Sequence, residues 1–445
     1  MRNILIIGAG LSAPSLIKYL LDFSNSNVWK LTVADLTLEA AQKKIGNHPN
    51  GKAIRLDVQN SAQRRSEISN ADMVISMLPA HFNAMLAADC IEFKKDLVTP
   101  SYVSDDMKRL DEKARQANVL LMNEIGVDPG LDHISAMQTI DKIKEKGGEL
   151  LSFKSFTGGL VAPEFDNNPW GYKFTWNPRN VVLAGQGVAK FIEQGLYKYL
   201  PHHQLFRRLE SLSIPGYGEF EGYANRDSIK YRELYGLHKI PTIYRGTLRR
   251  PGYCKAWDIF VQLGITDDSY SIEGSENLTY RQFIDSFLEF SAAESIESKL
   301  CRYLKINEDS IELEKLTWLG LFEDKKIGLK KATPAQILQH LLEEKWKFEP
   351  GDKDMIVMCH KFEYRLHNDI YQIKSYLVAI GEDQPYTAMA NTVGLPLGII
   401  VKLILNGNIK KKGVQIPISK DIYGPTLKEL EQYKICFHDE EKLMT

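Results

Sequence analysis

The feature that most constrains this chain is a small-residue turn lying directly behind its first apolar run. Ile4-Leu5-Ile6-Ile7 leads into Gly8-Ala9-Gly10-Leu11-Ser12-Ala13, after which Leu16, Ile17, Leu20 and Leu21 recur at helical spacing. A strand, a G-x-G-x-x-A turn and a helix in that order form the dinucleotide-binding pattern in its required context. Gly8 permits the tight turn, Gly10 lets the backbone approach a pyrophosphate, and Ala13 is small enough for close packing of helix on sheet. The helix N-terminus then offers free N–H donors and the positive end of its dipole to phosphate oxygens.

The pattern continues as alternating short β-rich runs and helical stretches. Ile4–Ile7, Leu31–Ala34, Ala53–Leu56, Met73–Met77, Asp96–Thr99 and Val119–Asn123 read as six strands with short crossovers, an α/β doubly wound parallel sheet. From about Leu150, Gly158, Pro163, Trp170, Gly171, Tyr172, Phe174, Trp176 and Pro178 crowd together, which marks a second, substrate-handling α/β region. Thr279-Tyr280-Arg281-Gln282 reads as a capping box, and Thr333-Pro334-Ala335-Gln336 as a helix start with Pro at its first position. The expected division is therefore a Rossmann domain over 1–130, completed by about 385–445, and an α/β substrate-binding and dimerisation domain over 131–270 and 349–384. Residues 271–348 form a helical insert.

Composition narrows the function. With 56 Lys+Arg against 57 Asp+Glu the formal net charge is −1, so no global field favours nucleic acid or an anionic membrane, and a small-molecule substrate is expected. The apolar runs at Ile4–Ile7 and Leu395–Leu405 fall short of the roughly 20 residues of a spanning helix, and Pro396 interrupts the second. The start of the chain offers neither a signal-peptide core nor a small-residue cleavage site, so a cytoplasmic location is expected. Cys90, Cys254, Cys301, Cys359 and Cys436 are odd in number and lack ligand spacing, which predicts reduced thiols and no metal site.

Asp35 closes the second strand, where an acidic residue accepts from the adenosine ribose hydroxyls and repels a 2′-phosphate; no Arg follows in Leu36-Thr37-Leu38. NAD is thus expected over NADP, with an exposed Asp capping the helix near Thr37 as the competing reading. Asp57 and Val58 after the third strand and Leu78 after the fourth join Gly8, Gly10, Leu11, Ser12, Ala13, Asp35 and Leu36 as candidate cofactor contacts. Ligands of open α/β sheets bind outside the carboxyl ends of the strands, which also brings in Pro100, Val127 and Asp128.

Two longer clusters follow the last strands: Thr99-Pro100-Ser101-Tyr102-Val103-Ser104 and Asn123-Glu124-Ile125-Gly126-Val127-Asp128-Pro129-Gly130-Leu131-Asp132-His133. Together with Gly158-Gly159-Leu160, Asn168-Pro169-Trp170-Gly171-Tyr172-Lys173-Phe174, Tyr223-Ala224-Asn225-Arg226-Asp227-Ser228 and Arg245-Gly246-Thr247-Leu248-Arg249, they make the chain resemble the saccharopine dehydrogenase (saccharopine reductase) family along essentially its whole length. The resemblance implies the glutamate-forming branch, in which saccharopine and water are oxidised to glutamate and α-aminoadipate semialdehyde, or the reverse. It also implies a substrate held at a domain interface, often a dimer, and a site lined by Ser101, Tyr102, Asp128, Arg226, Thr247, Leu248 and Arg249. One departure stands out: fungal members carry an Arg after the second strand where this chain has Asp35-Leu36-Thr37.

The residue chemistry agrees. Arg grips carboxylates bidentately, and saccharopine carries several. Amine oxidation needs a proton acceptor, for which Asp128, held in a Pro-Gly turn, and Tyr102 are the catalytic candidates. Asp128 and Asp132 as caps of the helix near His133 are the competing reading, and His133 itself reads as a backbone-bonding residue at a helix start. Two other functions stay open at this point: a carboxynorspermidine dehydrogenase-like reductase, whose substrate needs fewer carboxylate grips, and a non-catalytic NAD-binding sensor.

Overall fold

Arg2–Ile7 (β1) is apolar through Ile4, Leu5, Ile6 and Ile7, all buried, as a strand covered on both faces must be. It pairs in parallel on one side with Trp29–Asp35 (β2), which pairs with Gly51–Arg55 (β3). On its other side lie Met73–Ser76 (β4), Asp96–Val98 (β5), Leu120–Met122 (β6) and a closing strand, Gly413–Gln415. Every pairing in this seven-stranded sheet is parallel. The strand order reverses between β1 and β4, so the crevice of a doubly wound fold opens there, at the carboxyl ends.

The structure, a computed structural model, describes residues 1–444. It divides into two compact units, one of Met1–Glu149, Tyr364–Tyr371 and the residues from Leu377 onward, the other of Leu150–Glu363 and Gln372–Tyr376. The division falls at Glu149, where the sequence reading places it at 130. The helix Leu131–Glu145 groups with the first unit because it packs on the helix Lys420–Leu430, where Tyr423 Oη donates to Asp141 at 2.7 Å and Lys420 pairs with Glu145 at 2.7 Å.

The apolar helix Ala388–Leu405 has the length and composition of a membrane span, yet 78% of it is buried inside the first unit. It lies along the helix Pro14–Asp22 at unusually short range. A Cβ on Gly394 would meet the Leu16 backbone nitrogen at 2.6 Å, and one on Gly398 the Tyr19 ring at 2.6 Å. The two glycines, with the Ser15 hydroxyl bonded to Asn391 at 2.6 Å, let the helix behind the glycine turn seat on the core.

In the second unit Glu149–Val161 (β7) pairs in parallel with Thr242–Arg249 (β12), which continues antiparallel into Gly218–Ala224 (β11) and Leu209–Ile214 (β10). Val188–Glu193 (β8) and Leu196–Pro201 (β9) form a hairpin beside β12, and Asp354–Leu366 (β13) flanks β7. The helices Tyr280–Asp285, Ile296–Leu304, Ile311–Leu319 and Pro334–Lys345 occupy the expected insert but belong to this same unit; the capping box at Thr279 is present, and Thr333 with Gln336 forms a second one. Trp170, Tyr172, Tyr253, Trp257 and Trp346 are each at most 2% exposed and pack ring against ring as its core.

The close helix contact gives a stability prediction. Gly394→Val forces a side chain onto backbone and is expected to cost about 1–3 kcal/mol of unfolding free energy, the usual scale of overpacking. Urea denaturation checks this, and an unchanged midpoint would mean that the two helices lie farther apart than described.

Candidate active site

The first unit gathers most of the expected cofactor contacts at the carboxyl end of its sheet. Gly8 has φ +104, and a Cβ there would meet the Met77 carbonyl oxygen at 2.9 Å, so glycine alone fits between β1 and β4. At Gly10 a Cβ would meet nothing within 4 Å; the backbone faces open space, as close approach of a diphosphate requires. Ala13 is fully buried against the fold and Pro14 opens the helix. Leu11 and Leu36 are exposed at 76% and 61%, Val58 and Val127 are buried, and Ser12, Leu78 and Pro100 are half-buried along this edge. The residues present fit a dinucleotide.

Asp35 bonds the helix start at Thr37, as its competing reading has it, and also the glycine turn. Its Oδ2 accepts the Ala9 N–H at 2.7 Å and its Oδ1 accepts the Thr37 N–H at 3.0 Å. The carboxylate thereby ties the glycine turn to the end of β2, and both oxygens already have donors. Arg55 is the residue paired with Asp35 across the parallel β2–β3 register, and its side chain is exposed and makes no ion pair among the described residues. Burial pushes the Lys44 ammonium down, and the Asp35 charge nearby partly offsets this. Basic groups therefore stand beside Asp35 in space although none follows it closely in sequence. Asp57 Oδ1 accepts the Gln59 N–H at 2.9 Å and sits in an exposed turn.

Next to the crevice, a buried polar chain runs from the Ser76 hydroxyl to Asn83 at 2.6 Å and on to Thr99 at 3.3 Å, whose oxygen in turn receives the Ser101 N–H at 3.3 Å. It fixes the start of the Ser101–Ser104 segment. Tyr102 Oη donates to Asp128 Oδ1 at 3.0 Å, so the two catalytic candidates form a pair, both half-buried. Asp132, not Asp128, accepts the Gly130 N–H, at 2.6 Å, and is 1% exposed. Gly130 has φ +147, and a Cβ there would collide with the Gly126 backbone, so the turn that presents Asp128 requires glycine. His133 is fully buried on Glu124 at 2.8 Å, a contact between residues nine apart that no spacing rule reveals.

The remaining candidates lie in the second unit. Thr247, Leu248 and Arg249 end β12, with Thr247 opposite Tyr223 and Arg249 opposite Glu221 of β11. Arg226 is exposed just past β11 at φ +49, and its carbonyl oxygen accepts the Lys190 N–H at 2.8 Å. Arg249 is 3% exposed; its guanidinium stands 4.9, 5.8 and 5.2 Å from the ring centres of Tyr172, Tyr223 and Tyr253. One terminal nitrogen donates to the Leu248 carbonyl oxygen at 2.8 Å, Nε is buried without a hydrogen-bond partner, and no carboxylate pairs with it among the described residues. Arg245 is likewise buried, over Tyr231 at 4.2 Å, whereas Arg250 bonds the Tyr217 carbonyl and covers Phe220.

Known proteins resemble this chain along its whole length. Residues 4–122 match the model of the saccharopine dehydrogenase NADP binding domain, and residues 126–435 that of the saccharopine dehydrogenase C-terminal domain. The chain is 34% identical over 443 residues to a saccharopine dehydrogenase (NADP(+), L-glutamate-forming) of Pyricularia oryzae, covering 97% of each. It is 35% identical over 450 residues to the same-named protein of Schizosaccharomyces pombe, covering 99% of each. The solved structure of apo saccharopine dehydrogenase (L-Glu forming) from Saccharomyces cerevisiae superposes with a TM-score of 0.90 at 32% identity, over 100% of both chains.

These relatives overturn the expected preference for NAD over NADP: their names carry NADP(+), and the matching N-terminal family domain is described as NADP binding. In the structure the Asp35 carboxylate braces the glycine turn, and Arg55 on the paired strand and Lys44 stand beside it, so its charge alone does not bar a 2′-phosphate. Asp35→Ala is accordingly expected to lower the melting temperature of the cofactor-free protein, by the equivalent of about 1–3 kcal/mol for two backbone donors losing a charged acceptor. Melting of the nucleotide-free variant checks this; an unchanged value would return Asp35 to a purely ligand-facing role.

Proposed function

The chain belongs to the saccharopine dehydrogenase family, and from that premise we propose that it oxidises saccharopine, with NADP and water, to L-glutamate and α-aminoadipate semialdehyde. The observation that carries a substrate rich in carboxylates is Arg249, a buried guanidinium without a carboxylate partner. A buried charge without a counter-ion is costly, and a site that keeps one has use for an anion. The carboxynorspermidine reading gives this arginine less to do, and the relatives described above are named for saccharopine. A silent sensor leaves the Tyr102–Asp128 pair without purpose.

In the proposed reaction the secondary amine of saccharopine loses its N–H proton and the adjoining carbon loses a hydride. A bound nicotinamide supplies the hydride acceptor. Asp128 takes the amine proton or orients the water that adds to the resulting C=N bond, and Tyr102 holds the carboxylate through its hydroxyl. Water addition and C–N cleavage then leave the amino group on glutamate and the aldehyde on the other product. Arg226, Thr247, Leu248 and Arg249 serve substrate recognition, and Ser101 lines the site beside Tyr102. For the cofactor, the Gly8–Ala13 turn would hold the diphosphate, and Arg55 with Lys44 would give a 2′-phosphate positive surroundings. A cytoplasmic homodimer completes the reading.

Three variants test it. Arg249→Met removes the charge at similar volume; the KM for saccharopine should rise at least about tenfold, the scale of a lost charged hydrogen bond, with the KM for NADP unchanged and the fold no less stable. An unaltered saccharopine KM would assign Arg249 to packing alone. Asp128→Asn should cut kcat by about 10²-fold with the melting temperature preserved, and wild-type turnover would remove Asp128 from the chemistry. Arg55→Ala should raise the KM for NADP while leaving that for NAD alone; equal effects on both would end its role at the 2′-phosphate.

A further inference from the structure

We infer that Glu124 and His133 are positioning residues that hold Tyr102 against Asp128, an inference that rests on the proposed role of that pair. Glu124 lies just past β6 in a left-handed conformation at φ +60, uncommon for a residue with a side chain, and is 3% exposed. Its backbone N–H donates to the Ser101 carbonyl oxygen at 3.0 Å, and its Oε1 accepts the Val103 N–H at 3.0 Å. One residue thus grips the chain immediately before and immediately after Tyr102. Its other oxygen, Oε2, meets Nε2 of the fully buried His133 at 2.8 Å.

His133 stands on the first turn of the helix Leu131–Glu145, which is the far side of the loop that carries Asp128. A carboxylate can only accept, so His133 donates from Nε2 and Glu124 Oε2 receives the bond. The chain of contacts therefore closes on itself: helix to His133, His133 to Glu124, Glu124 to Ser101 and Val103, Tyr102 to Asp128, and Asp128 through Pro129 and Gly130 back to the helix. Asp132 braces the same turn by accepting the Gly130 N–H and lies 4.0 Å from Nε2 of His133. Neither Glu124 nor His133 is assigned to contact substrate; both act by fixing where the Tyr102 hydroxyl points. A buried, bidentate carboxylate at a strained backbone position is more than the fold needs to join two loops, because Ile125 N–H to Thr99 oxygen already joins them at 3.3 Å.

The test is a mutant cycle on the whole enzyme. Glu124→Gln keeps an acceptor for Val103 and nearly the same shape but presents an amide donor to His133. It should lower kcat about tenfold with the KM for NADP and the melting temperature unchanged, and Glu124→Gln in an Asp128→Asn background should cost nothing further. Wild-type kcat in Glu124→Gln, or losses that multiply independently in the double variant, would overturn the inference. Should Glu124→Gln fail to fold, His133→Gln, which leaves the Val103 contact intact, carries the same expectation and the same refutation.

Nuclear magnetic resonance of ring-labelled tyrosine separates this inference from the functional reading. Loss of the Tyr102–Asp128 bond should shift the Tyr102 signal in Glu124→Gln whatever the substrate is. An unshifted signal overturns positioning even if saccharopine turns over, and a shifted one upholds it even if saccharopine does not.

Discussion

Everything at the nucleotide end of this molecule depends on a backbone turn that only glycine can make. Gly8 passes so near the Met77 carbonyl oxygen that a single added carbon would collide with it, and the chain must leave β1 at a positive φ to enter the following helix. Asp35 secures that turn from the neighbouring strand through the Ala9 N–H. The helix is then seated from behind by Ala388–Leu405, whose Gly394 and Gly398 admit it at backbone distance. A late segment of the chain thus packs directly against its first helix.

The same economy governs the site chemistry. The Ser101–Ser104 and Asn123–His133 loops are irregular, and loops of that kind position side chains well only when their backbone groups are satisfied. Here buried polar side chains do so: Thr99, held by Asn83 and Ser76, and Glu124, held by His133, accept the Ser101 and Val103 N–H groups, and Asp132 accepts that of Gly130. In the second unit the logic inverts, since Arg249 is surrounded by aromatic rings and left without an anion. One unit holds a carboxylate–hydroxyl pair with every support in place, and the other, described by itself, a buried cation among aromatic rings.

Much of this was legible in the sequence because it rests on local rules. The six strands, the glycine turn, the capping box at Thr279 and the helix start at Thr333 follow from periodicity and turn chemistry, and the structure has each of them there. What was not legible involves partners brought together by folding. In the sequence nothing links Asp35 to its partner Ala9, 26 residues away, and only the parallel register of β3 places Arg55 beside it. His133 read as a helix-start residue, although Glu124 had been in view within the same motif. That the helix Leu131–Glu145 packs on Lys420–Leu430, nearly three hundred residues later, is likewise invisible to local rules.

The central claim concerns which C–N bond of saccharopine is broken, and product identity tests it most directly. Saccharopine incubated with the enzyme and NADP should yield one L-glutamate and one aldehyde for each reduced nicotinamide formed, measured by mass spectrometry with aldehyde trapping. Lysine and 2-oxoglutarate in their place, or no reduction of the cofactor at all, would contradict the account.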